Sequence, residues 1–142
     1  INASFLAKER CIRVTETRSQ STRGFASMIR LEVVGSDGEN SVCGAMFGED
    51  DYRIVRVNGC NVEALPNGHL LVLFNEDHPG IIGFIGQLLG EAKINIAGMN
   101  LTRHSIDGQA VSIINIDSCI PDETLEKLRA HENIVAAHQI VL

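Results

Sequence analysis

The residues best suited to chemistry lie in one short stretch, Asn75-Glu76-Asp77-His78-Pro79-Gly80, with a further amide at Asn95. The stretch joins an apolar run, HLLVLFNE, to HPGIIGFIGQLLGEAK, where Ile81, Ile82, Ile85, Leu88 and Leu89 recur at helical spacing. A helix beginning there presents unpaired N–H groups and the positive end of its dipole. Gly80 puts no side chain in the way of a carboxylate. Asn75 and Asn95 each donate and accept, and Asp77 can pair with an ammonium group. Together these suit a small zwitterion. Plainer readings fit the same residues. Asp77 is a favoured helix N-cap, Pro79 and Gly80 serve as turn punctuation, and Asn95 can bond its own backbone at a strand entry. His78 is expected to be exposed.

The elements that must position this corner follow from periodicity. INIAGMNLTR and QAVSIINIDS read as strands around a turn at Ile106-Asp107-Gly108. PDETLEKLRAHE reads as a helix, with Pro121 at its start, acids in its first turn and Leu125 and Leu128 inward. IVAAHQIVL closes as a strand. The order is βαββαβ, a ferredoxin-like plan, and both helices on one face would leave the other face or an edge open to a partner. Upstream, INASFLAKER reads as a short helix using Phe5 and Leu6 for apolar contact. CIRVTET alternates as a half-buried strand, and ASMIRLEVVG, NSVCGAMFG, YRIVRVNG and CNVEAL add four more. Ser36-Asp37-Gly38 and Asn58-Gly59 are hairpin signals. Gly83 and Gly86 are expected to permit close packing of their helix. The fold class is therefore α+β: an N-terminal, mostly antiparallel α/β lobe over 1–66, then a βαββαβ unit over 67–142, divided at Pro66-Asn67-Gly68.

Composition narrows the function classes. The 142 residues carry 12 basic and 18 acidic side chains, a net charge of −6, which disfavours a nucleic-acid partner. No apolar run is long enough to cross a bilayer as a helix, so no membrane partner is expected. The first residue is Ile1, and the expectation is a piece of a longer protein. The four cysteines form no CxxC pair, and the five histidines form no HxxxH pair. Free, mostly buried thiols, no metal site and a cytoplasmic location are expected. Gly80, Gly83, Gly86 and Gly90 spell neither a dinucleotide fingerprint nor a P-loop. No catalytic residue is assigned, and Asp50 and Asp51 read as a solvated turn.

The stretch FNEDHPGIIGFIGQLLGEAKINIAGMNL closely resembles the signature of the ACT domain, a small regulatory module that binds amino acids. INASFLAKERCIRVTET with DYRIVRVNGCNVEAL resembles the allosteric substrate-binding domain that precedes the ACT domain in long-form D-3-phosphoglycerate dehydrogenases. The resemblance implies a regulatory region whose NAD-binding and catalytic domains lie elsewhere in the parent chain, with no cofactor in this part. It implies a ligand set of Asn75, Asp77, His78, Pro79, Gly80, Asn95 and Ile96, taking L-serine or a similar small amino acid between two ACT domains of a homo-oligomer. It also implies an anion effector contact at Arg53, where Asn61 and Leu65 replace the His and basic residue that would complete that site. Asn75 stands where serine-regulated members often carry His or Tyr, and Cys11 where Gly is usual. A related pair of modules occurs in the beta part of iron–sulfur L-serine dehydratase, and a ligand-free assembly module is a third reading.

Overall fold

The computed structural model describes residues 2–19, 25–36, 38–103 and 108–142. In chain order the elements are α1 (Ala3–Glu9), β1 (Ser27–Gly35), β2 (Gly38–Met46), β3 (Tyr52–Val57), β4 (Cys60–Ala64), β5 (His69–Glu76), α2 (Ile81–Glu91), β6 (Ile96–Arg103), β7 (Gln109–Ile116), α3 (Asp122–Arg129) and β8 (Ile134–Val141). Strands β1–β2–β3–β4 form one antiparallel sheet in sequence order. The second sheet has the order β6–β7–β5–β8, also antiparallel. The class is α+β, and β5 to β8 with α2 and α3 give βαββαβ.

The central strands β5 and β7 decide how the parts stack. Each is apolar at nearly every position, so each buries both faces. On one face Leu71, Leu73, Ile114 and Ile116 meet Ile81, Ile85 and Leu89 of α2 and Leu125 and Leu128 of α3. On the other face Leu70, Val72, Val111 and Ile113 meet Cys60, Val62 and Ala64 of β4. Two amides seal that second contact at its rim: Asn100 Nδ2 donates to the Glu63 carbonyl (3.2 Å) and Asn115 Nδ2 to the Leu65 carbonyl (3.1 Å). The sheet face left open in the sequence reading is thus covered by the chain's own first lobe. What stays open is the edges, β6 and β8.

Local chemistry explains the turns. Asn58 and Gly59 both take positive φ (46° and 83°), as a two-residue hairpin of the primed kind requires. Asn58 also reaches across to β2, its Oδ1 accepting from the Ser41 N–H at 2.7 Å. The hairpin at Ser36 and Gly38 forms as expected, Gly35 standing opposite Gly38; Asp37 lies outside the described residues, as do Ile106 and Asp107.

Several expectations need correcting. Residues 11–19 form no strand and are exposed, because no described strand lies alongside to pair their backbone. Helix α1 buries nothing, and Phe5 is 64% exposed. Gly83 and Gly86 meet no other group at the position a Cβ would take, so close packing is absent there among the described residues. Of the four free cysteines, Cys43 and Cys60 are buried while Cys11 and Cys119 are exposed.

The layered core sets a contrast that urea unfolding can read. Leu71→Ala, at a fully buried position between sheet and helices, is expected to cost about 2–5 kcal/mol. Ile29→Ala, on β1 at a side chain 75% exposed, should stay within about 0.5 kcal/mol. Equal losses at the two positions would contradict the placement of the core.

Candidate functional site

The corner between β5 and α2 is built by Gly80. This residue is the helix N-cap with φ of 98°, a left-handed conformation that disfavours any side chain. The Phe84 N–H donates to the Gly80 carbonyl at 2.9 Å to open the helix. No side chain caps this terminus. The N-cap reading of Asp77 is therefore corrected: Asp77 stands three residues too early, and its carboxylate goes elsewhere. Its Oδ2 accepts from Arg103 Nη1 at 3.1 Å. Its own N–H donates to the Gly108 carbonyl at 2.8 Å, tying the corner to the entry of β7. His78 is exposed, with Nε2 3.5 Å from a Glu76 carboxylate oxygen. Pro79 stands immediately before the cap.

Asn75 lies inside the fold, 2% exposed. Its Nδ2 donates to the Glu76 carbonyl at 2.8 Å, and its Oδ1 has no partner among the described residues. Strand register shows what surrounds it. Asn75 stands opposite Ala110 of β7, and Ala110 stands opposite Arg103 of β6. These three residues share the sheet face that carries the helices. One row further in, Ser112 stands between Leu73 and Leu101, fully buried, with an Oγ that also lacks a partner. A buried amide or hydroxyl without a partner costs about 1–3 kcal/mol. Two of them lie on one face near one corner.

Asn95 and Ile96 are at the opposite end of the sheet. Asn95 Nδ2 donates to Asp117 Oδ2 at 3.0 Å, and Ile96 packs against the helix-side core. Strand β6 begins at Ile96 and ends at Arg103, so about 23 Å of extended backbone separates them from the corner. A single chain brings Asn75, Asp77, His78, Pro79 and Gly80 together and leaves Asn95 and Ile96 apart from them.

Arg53 belongs to the first lobe. It pairs with Asp51 at 2.8 Å and with Glu63, and its guanidinium lies 5.2 Å from the Phe47 ring centroid. The hydrogen bond to Arg53 holds the Asp51 carboxyl below its ordinary range, and the same bond raises Arg53. An anion arriving at Arg53 has two carboxylates to displace. On the same lobe a groove of about 320 Å³ is lined by Arg30, Cys43, Arg56 and Asn58 among others. Arg56 there donates to Asn61 Oδ1 at 3.0 and 3.1 Å.

Sequence reading missed Arg103, Ser112 and Asp117. Arg103 closes an alternating strand and looks like ordinary strand-end polarity. Only the antiparallel register across β7, which sets it in one row with Asn75, reveals it. Ser112 was detectable as the one hydroxyl inside an otherwise apolar strand.

Comparison with known proteins accounts for both lobes. Residues 1–58 match the family model described as the D-3-phosphoglycerate dehydrogenase intervening domain, and residues 69–133 match that of the ACT domain. Among curated relatives named D-3-phosphoglycerate dehydrogenase, the Synechocystis protein is 36% identical over the whole of this chain and 26% of its own length. That of Bacillus subtilis is 33% identical over the whole chain and 27% of its own length, and that of Archaeoglobus fulgidus 31% identical with the same coverage of each. The chain thus spans about a quarter of the length of these relatives. No helix among the described residues is long and apolar enough to cross a membrane. Residues 1–58 thus belong to the D-3-phosphoglycerate dehydrogenase intervening-domain family and residues 69–133 to the ACT-domain family.

Proposed function

We propose that this chain is the regulatory region of an NAD-dependent D-3-phosphoglycerate dehydrogenase, the parent oxidising 3-phosphoglycerate to 3-phosphohydroxypyruvate at the entry to serine synthesis. In this reading the ACT lobe binds L-serine or another small amino acid between two copies. The ligand acts by preferring one quaternary state over another, since it shifts an equilibrium only through differential affinity.

One observation carries the reading. The site residues are split between the two ends of β6, and β6 is a free sheet edge. An edge strand offers unpaired N–H and C=O groups to a second strand. Antiparallel pairing of β6 with β6 of a second copy, about a two-fold axis at Met99, keeps opposite side chains on one face and puts Arg103 of one copy opposite Asn95 of the other. The partner's Asn95 then arrives beside the Asp77 corner. Such an isologous contact is the commonest form of homo-oligomer symmetry. The other sheet face is already filled by β4, so the edge is the route by which a second ACT lobe extends the sheet. The open flank of α2 at Gly83 and Gly86 suits close approach of that second copy.

Two measurements test this. The chain is expected to be dimeric or larger by light scattering at micromolar concentration. Met99→Lys sets two ammonium groups near the axis, and should yield monomer with loss of L-serine binding. In calorimetry with L-serine, Asn95→Ala, far from the corner within its own chain, should weaken binding roughly tenfold. A monomeric wild-type chain that binds L-serine with Asn95→Ala unaffected would refute the interface site. Absence of heat with L-serine, glycine or L-alanine in an assembled sample would favour a ligand-free assembly module.

A further inference from the structure

We propose that Arg103 is the residue that reads the carboxylate of the amino acid, and that it does so by exchanging its ion pair with Asp77 for the ligand's own head group. The inference rests on the ACT-interface reading above and deepens it. Arg103 Nη1 and Asp77 Oδ2 are 3.1 Å apart, with side chains 57% and 23% exposed. Such a pair gains little in water and is cheaply exchanged. An α-amino acid carries the same two charges, one carbon apart. Its carboxylate takes the place of Asp77 on the guanidinium, and its ammonium takes the place of Arg103 on the carboxylate. Each charge remains paired throughout, and the planar guanidinium fork suits a carboxylate better than a point charge would.

The register supplies the third contact. Arg103 and Asn75 lie two strands apart in one cross-strand row, about 10 Å backbone to backbone. Ala110, the residue between them in that row, carries only a methyl group. Asn75 Oδ1 is a buried acceptor without a partner among the described residues, and its amide nitrogen is already committed to the Glu76 carbonyl. It is therefore placed to accept a hydrogen from the ligand ammonium or from a short hydroxyl side chain, relieving its own unpaired state. The pocket favours ligands that carry both head-group charges with a short side chain. The partner's Asn95, entering along β6, completes it.

Calorimetry on the assembled chain tests this with two probes, L-serine and L-serinamide, which keeps the ammonium and hydroxyl and lacks the carboxylate. L-serine should bind the wild-type chain more tightly than L-serinamide does. Arg103→Gln should weaken L-serine about thirtyfold, leave L-serinamide unchanged and leave the oligomer intact, whereas Arg103→Lys should recover part of the loss. If Arg103→Gln binds L-serine like the wild type while Asn95→Ala weakens it, the interface reading stands and the role of Arg103 is overturned. Equal losses for both probes would also overturn it, since a general loss is not carboxylate reading. A wild-type assembly that binds neither L-serine, glycine nor L-alanine would remove the interface reading and this inference with it.

Discussion

The burial of β5 and β7 on both faces is the constraint from which the rest follows. A sheet whose two central strands bury side chains on both faces must be covered twice. Helices α2 and α3 cover one side, and β4 with its neighbours covers the other. The first lobe is thereby fixed against the second through side chains as well as through the connecting loop at 65–68. The same arrangement leaves the second sheet no free face. Any further contact it makes must run through its edges or the ends of its strands, and the polar residues of interest stand at those ends.

Within that apolar layer, Asn75 and Ser112 are exceptions to the chemistry around them. Each polar group gives up hydration without full repayment by hydrogen bonds to the described residues. Both lie on the helix side of the sheet, near the end where Gly80 turns the chain into α2. Natural sequences depart from a consistent core where something other than stability is served. The departure here coincides with a charged pair at Asp77 and Arg103 and with a helix terminus that no side chain caps.

Much of this was legible in the sequence because the signals were local. The alternation of β3, the Asn58-Gly59 turn, the helical spacing of Ile81, Ile85 and Leu89, and the acid-rich start of α3 each concern residues a few positions apart. The failures were all of longer range. CIRVTET has the alternation of a strand, yet pairing is a property of two strands, and none lies beside it among the described residues. Asp77 has the residue type of a cap, yet the left-handed turn at Gly80 delays the helix by a few residues. Asn95 appears close to Asp77 in a motif of twenty residues, but helix α2 and the direction of β6 carry it to the other end of the sheet. Arg103 carries no local signal at all, since only the register across β7 aligns it with Asn75.

The two arginines in question show how environment rather than residue type assigns a role. Arg53 stands in an alternating strand, at a position where the family resemblance implied an anion contact. Its guanidinium is engaged by Asp51 and Glu63 and laid against Phe47. Bringing an anion there sets it against two fixed carboxylates, and the screening of an exposed site does not remove that competition at contact distance. Among the described residues Arg103 has a single ion-pair partner, Asp77, and that partner is itself the group an ammonium would seek. A zwitterion satisfies both halves of this pair at once, whereas a simple anion satisfies one and strands the other. On the proposed reading the ACT corner is thus matched to a dipolar ligand, while the paired arginine of the first lobe links β3 to β4 through Glu63.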